Sequence, residues 1–270
     1  MYTCKTLIAT EGDHVSQEKR LSICLEANGF SFSETTPSGE LLTFGVAEGA
    51  HAASITDATR DVKAFFLDAG VRPLGYKTME LIVVSDASTW VPDELYTMTA
   101  NRQYLKLVGC NAVSVMTCHS SALGSTAVFA GNEQLAMAFK VALPGLSVIN
   151  QHAKMVCVKD MTRSHPVLFA YWRKGIVDVA ACKDGKYLFG NSLKYEGGEE
   201  AMFRIVEVMK AQGLDDGNAE LMLCGEVDRD MYSMLRPYFP KTTLYGGEVN
   251  RCANPEFKKL RTYRYALILM

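Results

Sequence analysis

Leu21-Ser22-Ile23-Cys24-Leu25-Glu26-Ala27-Asn28-Gly29-Phe30-Ser31-Phe32 alternates apolar with small or polar residues on both sides of an Asn-Gly pair. The alternation has the period of a strand, and Asn-Gly is the strongest short signal for a tight hairpin. Ser38-Gly39 marks a second turn, after which Leu41, Leu42, Phe44 and Val46 supply a third strand. The stretch reads as a three-stranded antiparallel meander. A helix follows, capped by Ser54 or Thr56, with Val62, Phe65, Phe66 and Ala69 on one face and Gly70 at its end. Residues 79–84 then read as a buried strand, and Pro92 as the first turn of a short helix reaching Tyr104.

The same order returns in residues 166–226. Val167, Phe169 and Tyr171 lead to a turn at Lys174-Gly175, and Ile176, Val177, Val179 and Ala181 return to a turn at Asp184-Gly185. Tyr187, Leu188 and Phe189 form a third strand, Gly198 opens a helix closed by Gly213, and residues 221–224 make a buried strand before another helix. Gly29 and Gly39 are ten residues apart, as are Gly175 and Gly185. Agreement in two turn spacings and in the following order points to an internal repeat. Between the copies lie strands near 113–117 and 125–130, a helix capped by Asn132, and a further helix near 151–158.

A β-β-β-α-β-α order is the core of the ribonuclease-H-like fold, and two such units in tandem resemble the actin-like ATPase architecture. The expected class is therefore α/β: a duplicated ribonuclease-H-like (actin-like ATPase) fold, each half a three-stranded antiparallel meander followed by α-β-α. Residues 1–164 would form the first unit and 165–270 the second. Four motifs also carry a resemblance to one family. They are Leu21-Ser22-Ile23 with Gly29-Phe30-Ser31-Phe32, Trp90-Val91-Pro92 before Leu95-Tyr96, Leu188-Phe189-Gly190-Asn191-Ser192-Leu193-Lys194-Tyr195 before an acidic helix start, and Leu221-Met222-Leu223-Cys224-Gly225. In this order the chain resembles, over residues 15–250, the bacterial domain of unknown function 3822 family. That resemblance implies an actin-like fold and no particular reaction.

Actin-like ATPases grip phosphate between two hairpin turns rich in glycine and small hydroxyl residues, each following an aspartate. Backbone amides must approach the phosphate, and a carboxylate must hold hydrated magnesium. Here the first turn offers Glu26, Asn28 and Gly29 but also the bulky Phe30. The second, Trp172-Arg173-Lys174-Gly175-Ile176, contains no carboxylate, although Arg173 and Lys174 suit a phosphate. Gly225 stands alone where the adenosine-contacting segment carries paired glycines. Gly197-Gly198 lies among glutamates that suit the positive end of a helix and repel phosphate.

The expected function is a non-catalytic binding or scaffold protein without a cofactor, with another protein as partner or as a homo-oligomer. The alternative is an actin-like protein that binds ATP with magnesium at Glu26, Asn28, Gly29, Lys174, Gly175 and Gly225 and turns it over weakly or not at all. Behind both stands a metal-dependent nuclease using Glu26, Asp61 and Asp86.

Other chemistries find little footing. No P-loop, dinucleotide fingerprint or G-x-S-x-G elbow occurs, no C-x-x-C pair accompanies Cys118-His119, and His14, His51, His152 and His165 are isolated. The net charge of −2 from 28 basic and 30 acidic residues argues against a coat for nucleic acid or anionic membrane. Arg251, Lys258, Lys259, Arg261 and Arg264 read as a charged face, and Tyr263, Tyr265, Leu267 and Leu269 as a final strand or docked tail. A hydrophobic share of 48% supplies a core, and no stretch has the length of a membrane span. Eight scattered cysteines and no evident secretory signal place the chain in the cytoplasm with reduced thiols.

Overall fold

A computed structural model describes residues 1–10, 18–49, 52, 54–72, 75–157, 165–214, 217–247, 249–251 and 254–270. His14, His51, Cys252 and the proposed boundary at residue 164 lie outside the described residues. The elements run β1 Thr3–Ala9, β2 Lys19–Glu26, β3 Gly29–Thr35, β4 Leu41–Glu48, α1 Ile55–Asp68, β5 Tyr76–Val83, β6 Ser88–Pro92, α2 Asn101–Leu107, β7 Val115–Ser120 and β8 Ser125–Ala130. They continue with α3 Glu133–Ala142, β9 Ser147–Asn150, α4 Gln151–Val156, β10 Val167–Arg173, β11 Ile176–Lys183, β12 Lys186–Lys194, α5 Gly198–Ala211, β13 Glu220–Gly225, α6 Arg229–Leu235, β14 Thr242–Leu244 and α7 Ala266–Leu269.

Three sheets result, in strand orders β1-β4-β3-β2-β5-β9, β12-β11-β10-β13-β14 and β6-β8-β7. In the first, β2 pairs antiparallel with β3 and parallel with β5. In the second, β10 pairs antiparallel with β11 and parallel with β13. Alternation along β2 explains the layering: Leu21, Ile23 and Leu25 pack toward α1 and α3, whereas Cys24 on the opposite face meets the second sheet. Phe30 sits where the helices converge, edge-on to Phe65 at 4.9 Å and to Phe139 at 5.3 Å. The outer face of the second sheet is covered in the same manner by α5 and α6, through Ile205, Met209 and Leu235. Ser54 and Asn132 accept from the amides of Asp57 and Leu135 to cap α1 and α3, so both capping expectations hold.

Between the two large sheets lies a third layer of core. Phe44 and Ile82 of the first sheet, Phe169, Tyr171 and Met222 of the second, and all four residues of α7 are buried there. Tyr263–Leu269 is thus a docked tail, but its end is a helix and not a strand. All four residues of α7 are buried, and its backbone is satisfied within the short helix and by a side chain of the body. The Ser33 hydroxyl donates to the Ile268 carbonyl at 2.6 Å and fixes the tail to β3.

One further expectation is corrected, and one strand is added. Pro92 does not start a helix. It ends β6, where Trp90 and Val91 pair with Ala127 and Thr126 of β8, and the helix begins only at Asn101. Thr3–Ala9, which carries no clear apolar alternation, is a sheet-edge strand along β4. Among the described residues, no helix is long and apolar enough to cross a membrane.

Leu267→Ala removes a fully buried side chain from the layer between the sheets. Urea denaturation is expected to show a loss of about 2–5 kcal/mol. A loss under about 1 kcal/mol would mean that α7 is not packed there.

Candidate functional site

The C-terminal ends of β2 and β5 and the β10–β11 turn meet where the two sheets face each other. Two adjoining clefts of about 590 and 620 Å³ open there and share Glu26, Tyr171 and Glu226. Glu26 and Lys174 line the first, and Glu26, Asn28 and Gly29 the second. Gly175 and Gly225 line neither. Gly225 has φ +83° and no room for a side chain: a Cβ there would lie 2.2 Å from the Trp172 carbonyl oxygen. Its glycine thus serves the close approach of β13 to β10.

At the floor of this region a buried carboxylate organises the groups around it. Asp178 of β11 has no exposed surface. Arg173 reaches it in a fork, Nε to Oδ2 at 2.7 Å and Nη2 to Oδ1 at 3.1 Å. The third guanidinium nitrogen, Nη1, donates to Asp86 Oδ1 at 2.6 Å, and Nη2 also reaches the Ser85 carbonyl at 3.3 Å. Ser85 and Asp86 follow β5 of the first sheet, so one side chain of the second sheet is bound to both. Burial works against the Arg173 charge, but the bonds and charges of Asp178 and then Asp86 outweigh it and raise its pKa above the ordinary value.

The start of α4 completes the network. Gln151 donates to Ser85 O at 2.6 Å and to Asp178 Oδ1 at 3.2 Å, and its Oε1 accepts from the Ser85 amide at 3.0 Å. Ser192 of β12 donates to Asp178 Oδ1 at 2.5 Å. Its hydroxyl proton being so used, its oxygen accepts from His152 Nε2 at 3.1 Å, which assigns the neutral Nε2–H tautomer and leaves Nδ1 buried without a partner. Burial lowers the His152 pKa; Asp178 opposes that drop and Arg173 adds to it.

The cleft mouth is acidic. Burial and then the Glu226 carboxylate raise the Glu26 pKa, against the pull of Arg264 and Arg173. Arg264 pairs with Glu226 at 3.5 Å, and Glu48 of the second cleft pairs with Lys5 at 3.3 Å. Arg173 is committed to two aspartates. A triphosphate entering here meets carboxylates and an Arg173 already engaged, with Lys174 as the exposed cation of the cleft.

The remaining sequence candidates do not assemble. Asp61 of α1, its side chain 13% exposed, lines a separate cavity with Tyr2, away from Glu26 and Asp86. Burial pushes the Cys118 thiol up to about 11, which keeps it protonated, and His119 pairs with Asp93 at 3.0 Å. No group of three metal-ligating side chains is arranged for an ion among the described residues. Glu199 and Glu200 occupy the first turn of α5, and Glu200 accepts from the Glu196 amide at 2.9 Å, so the acid-rich helix start is a cap. Sequence reasoning missed Asp178, Gln151, His152 and Ser192 as one group. The signal for Asp178 was a lone carboxylate within the apolar run of β11.

Similar solved structures share this frame. A Bacteroides thetaiotaomicron protein described as having an actin-like ATPase fold and unknown function superimposes with a TM-score of 0.66 at 19% identity, over 90% of this chain and 95% of that one. The PilM-PilN type IV pilus biogenesis complex gives 0.53 at 10%, over 93% and 96%. The ethanolamine utilization protein EutJ from Carboxydothermus hydrogenoformans gives 0.53 at 10%, over 95% and 91%. The class is thus an α/β protein of actin-like ATPase fold. No curated protein matches the chain. It belongs to the family described as Protein of unknown function (DUF3822), whose model matches residues 12–242.

Two outcomes test the network. Arg173→Ala strands the buried Asp178 carboxylate and is expected to cost about 3–5 kcal/mol in urea denaturation, whereas Asp86→Asn, at a mostly exposed group, costs under about 1 kcal/mol. Equal, small losses would contradict the geometry. Burial lowers the folded-state pKa of His152, while the unfolded chain takes up its proton near the ordinary pKa of about 6.5. Stability therefore falls as pH drops through that value, by up to about 1.4 kcal/mol per pH unit from this group. Glu26 acts in the opposite sense, so the test compares wild type with His152→Gln between pH 7 and 5: the variant's profile is expected to be flatter, and parallel profiles would rule the linkage out.

Proposed function

We propose that this protein is a non-catalytic binding protein of actin-like fold, in which an internal ion-pair network occupies the place of a phosphate grip. The observation that carries this reading is Arg173. The cation best placed in the second hairpin to meet phosphate is bound to Asp178 and Asp86 and joins the two sheets. The carboxylates of Glu26 and Glu226 add repulsion. On this reading neither ATP nor magnesium is a cofactor.

The matching strand orders β4-β3-β2-β5-β9 and β12-β11-β10-β13-β14 support two copies of one ribonuclease-H-like unit, residues 1–164 and 165–270. Unpaired thiols at the described cysteines agree with a reducing cytoplasm. The partner on this reading is another protein. PilM-PilN, one of the structural neighbours, is itself a complex.

Thermal unfolding with and without millimolar Mg-ATP tests the reading. A ligand at 100 times its dissociation constant adds about 2.7 kcal/mol to stability. An unchanged midpoint is expected. A rise that disappears in Lys174→Ala would instead establish the nucleotide-binding alternative, since Lys174 is exposed at the same cleft.

A further inference from the structure

The small sheet β6-β8-β7 and α2 form a projection with a core of their own, Val91, Leu105 and Val128. Trp90 leans on Tyr187 of β12, with ring centres 6.2 Å apart, and so ties it to the second sheet. Its outer surface is unusually apolar. Of the fifteen large apolar residues that are exposed among the described residues, five fall within residues 95–113: Leu95, Met98, Leu107, Val108 and Val113. All but Val108 are more than two-thirds exposed. Hydrogen bonds brace this group. Arg102 donates to the Val113 carbonyl at 3.0 Å, and the Tyr104 hydroxyl donates to the Leu95 carbonyl at 2.7 Å and accepts from the Thr97 amide at 2.9 Å. Tyr96 stacks on Tyr104 behind them.

Apart from Glu94, which is exposed and adjoins Leu95, charge on this surface has one sign. Acids make up one residue in nine of the chain, yet none occurs from Leu95 to Asn132. Arg102 and Lys106 stand one turn apart on α2 among the exposed apolar groups, and Asp93, just before the segment, is paired with His119. Two cations are too few for an anionic membrane, which is read by clusters of four to eight. An apolar face rimmed by Arg and Lys matches a protein segment with apolar anchors beside Asp or Glu.

Resting on the binding-protein reading above, we propose that the α2 face of this projection, Leu95, Met98, Leu107 and Val113 with Arg102 and Lys106, docks an acidic amphipathic segment of a partner protein. The apolar residues supply the buried contact. The cations select the acidic partner and set its register.

The test places a benzophenone amino acid at Met98 of the full chain, and separately at the equally exposed Leu67 of α1, in cells that naturally make the protein. After irradiation, the expected product is an adduct specific to position 98, on a different polypeptide, whose cross-linked peptide combines apolar with acidic residues. Changing charge with Lys106→Glu and Arg102→Gln, which keeps a donor for the Val113 carbonyl, is expected to cut its yield about tenfold or more while the melting temperature stays unchanged. No adduct specific to position 98, an adduct to lipid, one to a second copy of this chain, or one that survives these substitutions would each overturn the proposal. These results are separate from the nucleotide test, because a melting shift with Mg-ATP would remove the binding-protein reading whatever position 98 captures.

Discussion

A carboxylate without exposed surface must be matched by charge and hydrogen bonds, or the fold that buries it loses several kcal/mol. Asp178 is such a group, and the way it is matched determines how the two large sheets meet. Arg173, the last residue of β10, folds back on it with a bidentate fork and spends its remaining nitrogen on Asp86 across the cleft. Gln151 and Ser192 fill further positions on the same carboxylate oxygen. The network therefore ties β5, α4, β10, β11 and β12 into one unit. Beneath it, α7 and the aromatic side chains of both sheets supply the apolar share of the same interface.

This arrangement separates the frame of an actin-like fold from its chemistry. On the proposed reading the hairpin turns stand where phosphate-gripping turns would, but their most useful cation is consumed internally, and burial and then Glu226 raise the pKa of Glu26 at the mouth. Glycine at 225 survives for a packing reason, since β13 runs against the backbone of Trp172. Ion pairs and an apolar seam join the two sheets.

Much of the frame was legible because it is written in local signals. The Asn28-Gly29 turn, the period-two alternation of β2 and the caps at Ser54 and Asn132 each act within a few residues, and the structure places them as read. The edge strand β1 and the short β6 were not legible, because their pairing is decided by distant partners in β4 and β8. The tail misled for a related reason. Alternating Tyr and Leu side chains suggest a strand, but the tail docks between the sheets as a short helix, its Ile268 carbonyl held by Ser33 of the distant β3. The site was the least readable part. Gln151 and Ser85 are 66 residues apart, His152 and Ser192 are 40 apart, and nothing local marks any of them. A single aspartate within the apolar β11 was the one visible trace, and its meaning depends on which side chains the fold brings to it.

The direct test of the account is native-state hydrogen exchange in wild type and Arg173→Lys, which keeps the charge but loses the fork. If Arg173 joins the sheets, peptides spanning residues 83–87 and 149–153 should exchange about tenfold faster or more in the variant, with α1 and α5 unaltered. Equal protection of those peptides in both proteins would show that the sheets are held without it.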